Sequence, residues 1–429
     1  MTDETDDDDP DQRLLAAVTS HYLGGRDFNG FPLRNLGLRR DELLALLTPL
    51  VEAELISLNF GVYHPNPHIK AFPPEPVANQ LQRLAEDDLH HATTYPESAH
   101  LEGVVDRDAY AGRPFTLRLA LGAPELLPAC FFELSVLESY RNDPRYVYDT
   151  EDTSGRIVVS DDYYESEAMR EADQILLESF GFAYDEDLSR VVCVCPVYLA
   201  RLTPEHQQLW AARELEGEFR VHPAYFDSSI RGEFPEKVSI FDAFLEELSQ
   251  LRAMSERIGL PPVVRRDFAD ARPHGFGFLI RPTLKELQDF HILLDKMMSD
   301  NLNADFFKAA GLAMESEHPR HDGRIEVRRR GTVALLEEWS GPGRIRFHDR
   351  EPRDEMLAAF REVRRLRQRP AHAADDNRFD QEFFTEQRQL MIRAYDAVRT
   401  LRQILAMHPG LKDYDEVPDW LYKGEIYTY

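Results

Sequence analysis

Cysteine is scarce, three in 429 residues, too few for a disulfide framework in a chain of this length. Lysine is also rare, so most of the positive charge is arginine. Acidic residues outnumber basic ones 77 to 50, for a formal net charge of -27. A chain this acidic is not built to coat nucleic acid, and any such contact must use a local basic patch. The bulk charge reads as solubility or as adaptation to a salty cytoplasm. The longest apolar run, Val191 to Ala200, is about half of what a membrane helix needs, so no membrane span is expected. The stretch MTDETDDDDP has neither a basic start nor an apolar segment. It predicts a solvated acidic tail, not a signal peptide, and a cytoplasmic protein. No GxxxxGK(S/T) loop, no GxGxxG and no GxSxG occurs, which removes the commonest routes to an NTPase, a dinucleotide enzyme or an α/β-hydrolase. There is no low-complexity segment beyond the acidic tail and no internal repeat.

What is present is core-forming material: 43% hydrophobic residues, with 25 Phe and 17 Tyr. The length suggests about two to three domains. The pattern predicts an α+β multidomain chain, in which an acidic tail over residues 1–10 precedes a module over 11–92. There Leu14, Leu15 and Val18 mark a helix, Arg40 to Ala53 a second, and Leu55 to Phe60 a strand. VYHPNPHIKAF then predicts a hairpin tip. This order of helix, short element, helix, strand and wing resembles a winged-helix module. Its second helix carries Asp41, Glu42, Glu52 and Glu54 against Arg39 and Arg40, a face that favours protein contact or a structural role over DNA.

Residues 93–236 read as a mixed α+β middle domain. Phe115, Leu117 and Leu119 alternate as on a strand, LLPACFFELSVLESY reads as helix, and RIVVS and VVCVCPVYLARL as strands. Thr203 and Pro204 suit a helix start. Cys193 and Cys195 share one strand face and read as buried apolar groups. His64 and His68 lie between prolines that exclude a helix, so they read as turn residues. The acid-rich run around Gly155 reads as a solvated hairpin and does not have the spacing of a calcium loop.

From 237 to 408 the pattern is a helical bundle. Phe241, Phe244, Leu245, Leu248 and Leu251 recur at helical spacing, and Thr283 to Glu286 forms a capping-box pattern before another amphipathic helix. RIEVRRRGTVALLEEWSGPGRIRFHD predicts three antiparallel strands, a β insertion at about 318–350. Met356, Leu357, Phe360 and Val363 resume the bundle, and a long helix from about Asp380 to Ala406 closes it. The tail over 409–429, with Trp420 and its tyrosines, is expected to dock on the body.

The most arginine-dense stretch, REVRRLRQRPAH, joins the last two long helices. It holds an R-x4-H pair, Arg367 and His372. A second match, Arg201 to His206, sits at a strand-to-helix turn. In the first copy a bundle surrounds the pair, and a long final helix follows. That combination resembles the HEPN superfamily. The resemblance implies a dimeric helical bundle whose members are in many cases metal-independent endoribonucleases of toxin–antitoxin, abortive-infection and CRISPR systems, and in others catalytically silent. It also implies a polar residue after the arginine, which Gln368 supplies. Pro370 departs from a motif held wholly within a helix and suggests a site carried on a loop.

The chemistry is consistent with this. Metal-free RNA cleavage needs a base for the 2′-hydroxyl proton, and histidine titrates near working pH. It also needs a fixed cation for the charge growing on phosphate, and arginine supplies one. His372 and Arg367 are the expected catalytic pair. Arg364, Arg365, Arg369 and Gln368 are expected to bind substrate, with no metal and no cofactor. The expected partners are RNA, a second copy of the chain, and a partner protein of a defence system. A non-catalytic sensor or adaptor, in which the pair only holds the loop against local carboxylates such as Asp375 and Asp376, stays open. So does a winged-helix transcriptional regulator.

Overall fold

Leu14, Val18 and Tyr22 recur every fourth residue and form the buried face of helix α1 (Pro10–Gly24). The computed structural model describes residues 10–61, 70, 73–150, 152–233, 237–273, 275–319, 324–368 and 376–429. It divides into two compact units, Met1–Phe234 and Pro235–Tyr429, and is mixed α+β throughout.

In the first unit, α2 (Arg40–Glu52) buries Leu43, Leu47, Leu50 and Val51. Its start is fixed by Glu42, whose carboxylate accepts a 2.8 Å bond from the Arg39 backbone, as a capping residue does. A three-stranded antiparallel sheet follows, with β3 (Thr93–Pro96) between β1 (Phe31–Pro32) and β2 (Ile56–Asn59). The expected wing, including His64 and His68, lies outside the described residues. The described partner of β2 is β3, which comes after helix α3 (Val77–Glu86). The sheet therefore crosses the boundary expected at 92/93. Gln80 of α3 ties helix to strand, its Oε1 accepting from the Leu58 backbone at 2.8 Å.

A second sheet is antiparallel in the order β4 (Cys130–Phe132), β8 (Arg190–Val194), β7 (Leu176–Tyr184), β6 (Ser154–Val159), β5 (Tyr146–Thr150), and β9 (Arg220–Val221) joins the end of β7. Three sequence expectations fail here. VVCVCPVYLARL is strand only as far as Val194, and Pro196–Ala200 is helical, with proline in its first turn. Pro114–Ala120 is a helix, α4, not a strand. Phe115 and Leu119 are its buried pair, four apart, and a short run of alternating residues also contains that helical spacing. The stretch around Cys130 is strand β4 followed by helical turns. Pro128 bars a continuous helix there, and β8 offers Cys130–Phe132 a hydrogen-bonding edge. Cys193 and Cys195 are buried, as expected.

The second unit is built on four long helices. These are α5 (Ile240–Arg257), α6 (Leu284–Met297), α8 (Glu351–Gln368) and α9 (Glu382–Ala406). Helix α9 packs on α5 and α8, and α6 on α8, around one core that includes Phe241, Phe244, Leu294, Phe360 and Leu401. Ser239 caps α5 by accepting from the Phe241 backbone at 3.1 Å. Thr283 caps α6 by accepting from the Glu286 backbone at 3.3 Å.

The insertion is a two-stranded hairpin, β11 (Glu315–Pro319) with β12 (Ile325–Arg329). The second expected strand is instead helix α7 (Thr332–Trp339), and the third, over 344–349, is irregular. Leu335 and Leu336 reach the core only from a helix, whereas a strand would send them to opposite faces. The C-terminal residues return to the body, where β13 (Ile426–Tyr427) pairs in parallel with β10 (Val238–Ser239) and Leu421 is buried. No helix of the described residues is long and apolar enough to cross a membrane.

Candidate functional site

Helix α8 presents two faces. Met356, Leu357, Phe360 and Val363 enter the core, and Arg364 and Arg367 continue the edge of that stripe at helical spacing. Both arginines reach the end of α6 and the turn beyond it. Arg367 donates to Asp295 at 2.7 Å and makes a second ion pair with Asp300. Arg364 meets Asp300 at 3.2 Å. The Asp295 side chain is 0% exposed and that of Arg367 36%. Hydrogen bonds donated to Asp295 and then to Asp300 push the Arg367 guanidinium up from its ordinary value. Asp295 also lies in the last turn of α6, where the helix dipole adds negative potential, so a cation is doubly favoured there.

Arg365 and Gln368 are exposed, and Arg361 pairs with Glu337 at 2.6 Å. Arg369, His372 and Asp375 lie outside the described residues. Arg364 and Arg367 are thus brought together at one carboxylate, and the position of the expected base is not described.

Asp300 also lines a cavity of about 590 Å³ that the sequence reading did not single out. Arg265, Arg266 and Lys296 supply its positive charge, and Phe268, Pro273, Leu293 and Met297 its apolar wall. The loop that carries the arginines is held by Asn301. The Asn301 amide donates to the Arg266 carbonyl at 2.8 Å and accepts from the Arg266 backbone at 2.9 Å. Arg252 donates to the Arg265 carbonyl at 2.6 Å. Phe268 has φ +61°, a left-handed conformation that costs a bulky residue free energy and gathers at ligand clamps. The available signal was the doublet Arg265-Arg266 directly after buried Val263 and Val264, unusual in so acidic a chain.

The second R-x4-H match does not assemble. Arg201 pairs with Asp27 and Glu178, each at 2.8 Å, at the rim of a 680 Å³ cavity in the first unit. His206 is buried instead, its Nδ1 sharing a 2.8 Å hydrogen bond with the Tyr140 hydroxyl. Burial pushes its pKa down.

The first unit also buries Glu125. Its Oε2 accepts from the Lys70 backbone at 2.9 Å, and the Lys70 ammonium donates to the Gly122 carbonyl at 2.8 Å. Burial pushes the Glu125 carboxyl up to about 7 and the Lys70 amine down. No group of three or more His, Cys, Asp or Glu side chains is placed to hold a metal ion among the described residues. Compared with protein-family models, curated proteins and solved structures, the chain matches none, so its own residues carry the functional reading.

Proposed function

We propose that the chain is a metal-independent endoribonuclease of the HEPN type, acting at the end of α8 as a dimer in phage defence or a toxin-like stress response. The observation that supports this most is local charge. In a chain of net charge -27, Arg364 and Arg367 converge on Asp300, and Asp300 lines the cavity that carries Arg265, Arg266 and Lys296. A phosphate-bearing strand would find its cations there.

His372 would follow Arg367 by five residues and take the 2′-hydroxyl proton. The 2′-oxygen then bonds to phosphorus, the bond from phosphorus to the 5′-oxygen breaks, and the leaving oxygen takes a proton from water. Arg367 would oppose the charge growing on the phosphoryl oxygens, as preorganised donors do. The test is cleavage of single-stranded RNA in EDTA. Wild-type protein cleaves, and His372→Ala loses about a hundredfold or more in rate, the usual worth of a general base. Cleavage that persists in this variant rules out the site.

A non-catalytic sensor or adaptor is the second reading. The engagement of Arg367 by two carboxylates favours it, because a guanidinium so held also serves to pin α8 to α6.

A further inference from the structure

Many arginines described in the second unit have a carboxylate partner, among them Arg252, Arg272, Arg281, Arg330, Arg361, Arg364, Arg367, Arg393 and Arg402. Arg265, Arg266 and Lys296 are among the cations without one, and they are gathered in one place. Among the described residues no carboxylate lies within ion-pair distance of any of the three. Yet all three line one cavity, although the whole chain has acid to spare. The one carboxylate in the cavity wall, Asp300, is already taken by Arg364 and Arg367.

All three residues are exposed, and the backbone that carries them is fixed. Arg265 and Arg266 stand on a loop fixed at both backbone positions, with Arg265 N–H donating to the Asn301 carbonyl at 2.8 Å and Arg266 N–H to the Asn301 side chain at 2.9 Å. Lys296 projects from the last turn of α6. The opposite character is supplied by a half-buried aromatic ring, Phe268, held at φ +61°, with Leu293, Met297 and Pro273. A lining that combines three cations with a ring and aliphatic neighbours matches a ligand with an anionic part and a flat apolar part.

We infer that this cavity is a nucleotide-binding site, with a phosphate held by Arg265, Arg266 and Lys296 and a base resting against Phe268. Guanidinium forks suit phosphate oxygens, and stacking on an aromatic ring tolerates any base. A cavity of about 590 Å³ is within the range of small-ligand sites. The inference rests on the ribonuclease reading only for the identity of the strand. The shared chemistry is a nucleoside phosphate, either one unit of an RNA strand or a free mononucleotide.

The experiment uses the full chain and a fluorescent 2′-O-methyl oligonucleotide, which has no free 2′-hydroxyl and so reports binding without cleavage. Anisotropy is read across a salt series, with adenosine monophosphate as competitor. The variants are Arg265→Glu/Arg266→Glu and, separately, Lys296→Glu, with thermal unfolding to confirm that each is folded. Each phosphate contact on a single strand contributes about 0.7 to the slope of log K against log salt. The double variant is therefore expected to lose about 1.4 of that slope, and roughly tenfold or more in affinity at low salt.

Oligonucleotide binding that adenosine monophosphate does not displace assigns the site to a strand, and displacement at micromolar concentration assigns it to a free nucleotide. Affinity in both variants within twofold of wild type, or no binding of either ligand by wild type, overturns the inference. Variant-sensitive binding without cleavage of unmodified RNA keeps this site and removes the nuclease. Cleavage lost in His372→Ala, with binding unchanged in Arg265→Glu/Arg266→Glu, does the reverse.

Discussion

Arg367 is the residue at which a catalytic and a structural role can be separated. Its guanidinium is the described partner of Asp295, whose side chain is fully buried and whose second oxygen has no hydrogen-bond partner among the described residues. Arg367→Ala would leave a carboxylate buried at the negative end of α6. Breaking a buried pair by removing one member costs about 3–5 kcal/mol, and an exposed pair is worth about 0–1. One member here is buried and the other about a third exposed, so water can enter the space left behind, and a loss of about 2 kcal/mol is expected. Urea unfolding followed by circular dichroism would show this as a midpoint lowered by about 1 M.

Adding Asp295→Asn removes the orphaned charge, and most of the stability should return. The proposed RNA cleavage should not return, because the asparagine supplies no cation to the phosphate. A loss below about 0.5 kcal/mol in Arg367→Ala would refute the reasoning about the pair. Recovery of cleavage together with stability in the double variant would reduce Arg367 to a structural tie.

Other sites give independent checks. Burial pushes the Glu125 carboxyl from 4.5 up to about 7. The proton it holds therefore favours the folded state fully below about pH 4.5, and that contribution fades as pH rises through about 7, by about 3 kcal/mol in total. Glu125→Gln should show a flatter Tm against pH over that window, and an unchanged pH dependence would contradict the assignment. Glu247 of α5 and Arg402 of α9 form a doubly hydrogen-bonded ion pair with side chains 0% and 6% exposed. Glu247→Ala should cost about 3–5 kcal/mol by chemical denaturation, whereas Glu247→Leu with Arg402→Met should recover most of it. A Cβ at Gly181 would come within 2.2 Å of the Tyr225 ring, so Gly181→Ala should lower stability by about 1–3 kcal/mol through overpacking, read from its Tm.

The sequence alone determined the parts of this protein whose signal is local. The apolar repeats of α5, α6, α8 and α9, the cap at Thr283, and the burial of Cys193 and Cys195 follow from spacing within a few turns of chain. Short elements were decided by tertiary contact. Pro114–Ala120 and Thr332–Trp339 are helices that bury adjacent residues, Leu119 with Ala120 and Leu335 with Leu336, which a strand would send to opposite faces, and Cys130–Phe132 is a strand because β8 offers it an edge. The surroundings of Arg367 were not legible at all. Asp295 and Asp300 lie 72 and 67 residues earlier in the chain, and the cavity that Asp300 lines joins a loop after α5 to the end of α6. A motif records which groups are near in the chain, but which charges neutralise one another and which are left for a ligand is set only when distant segments pack.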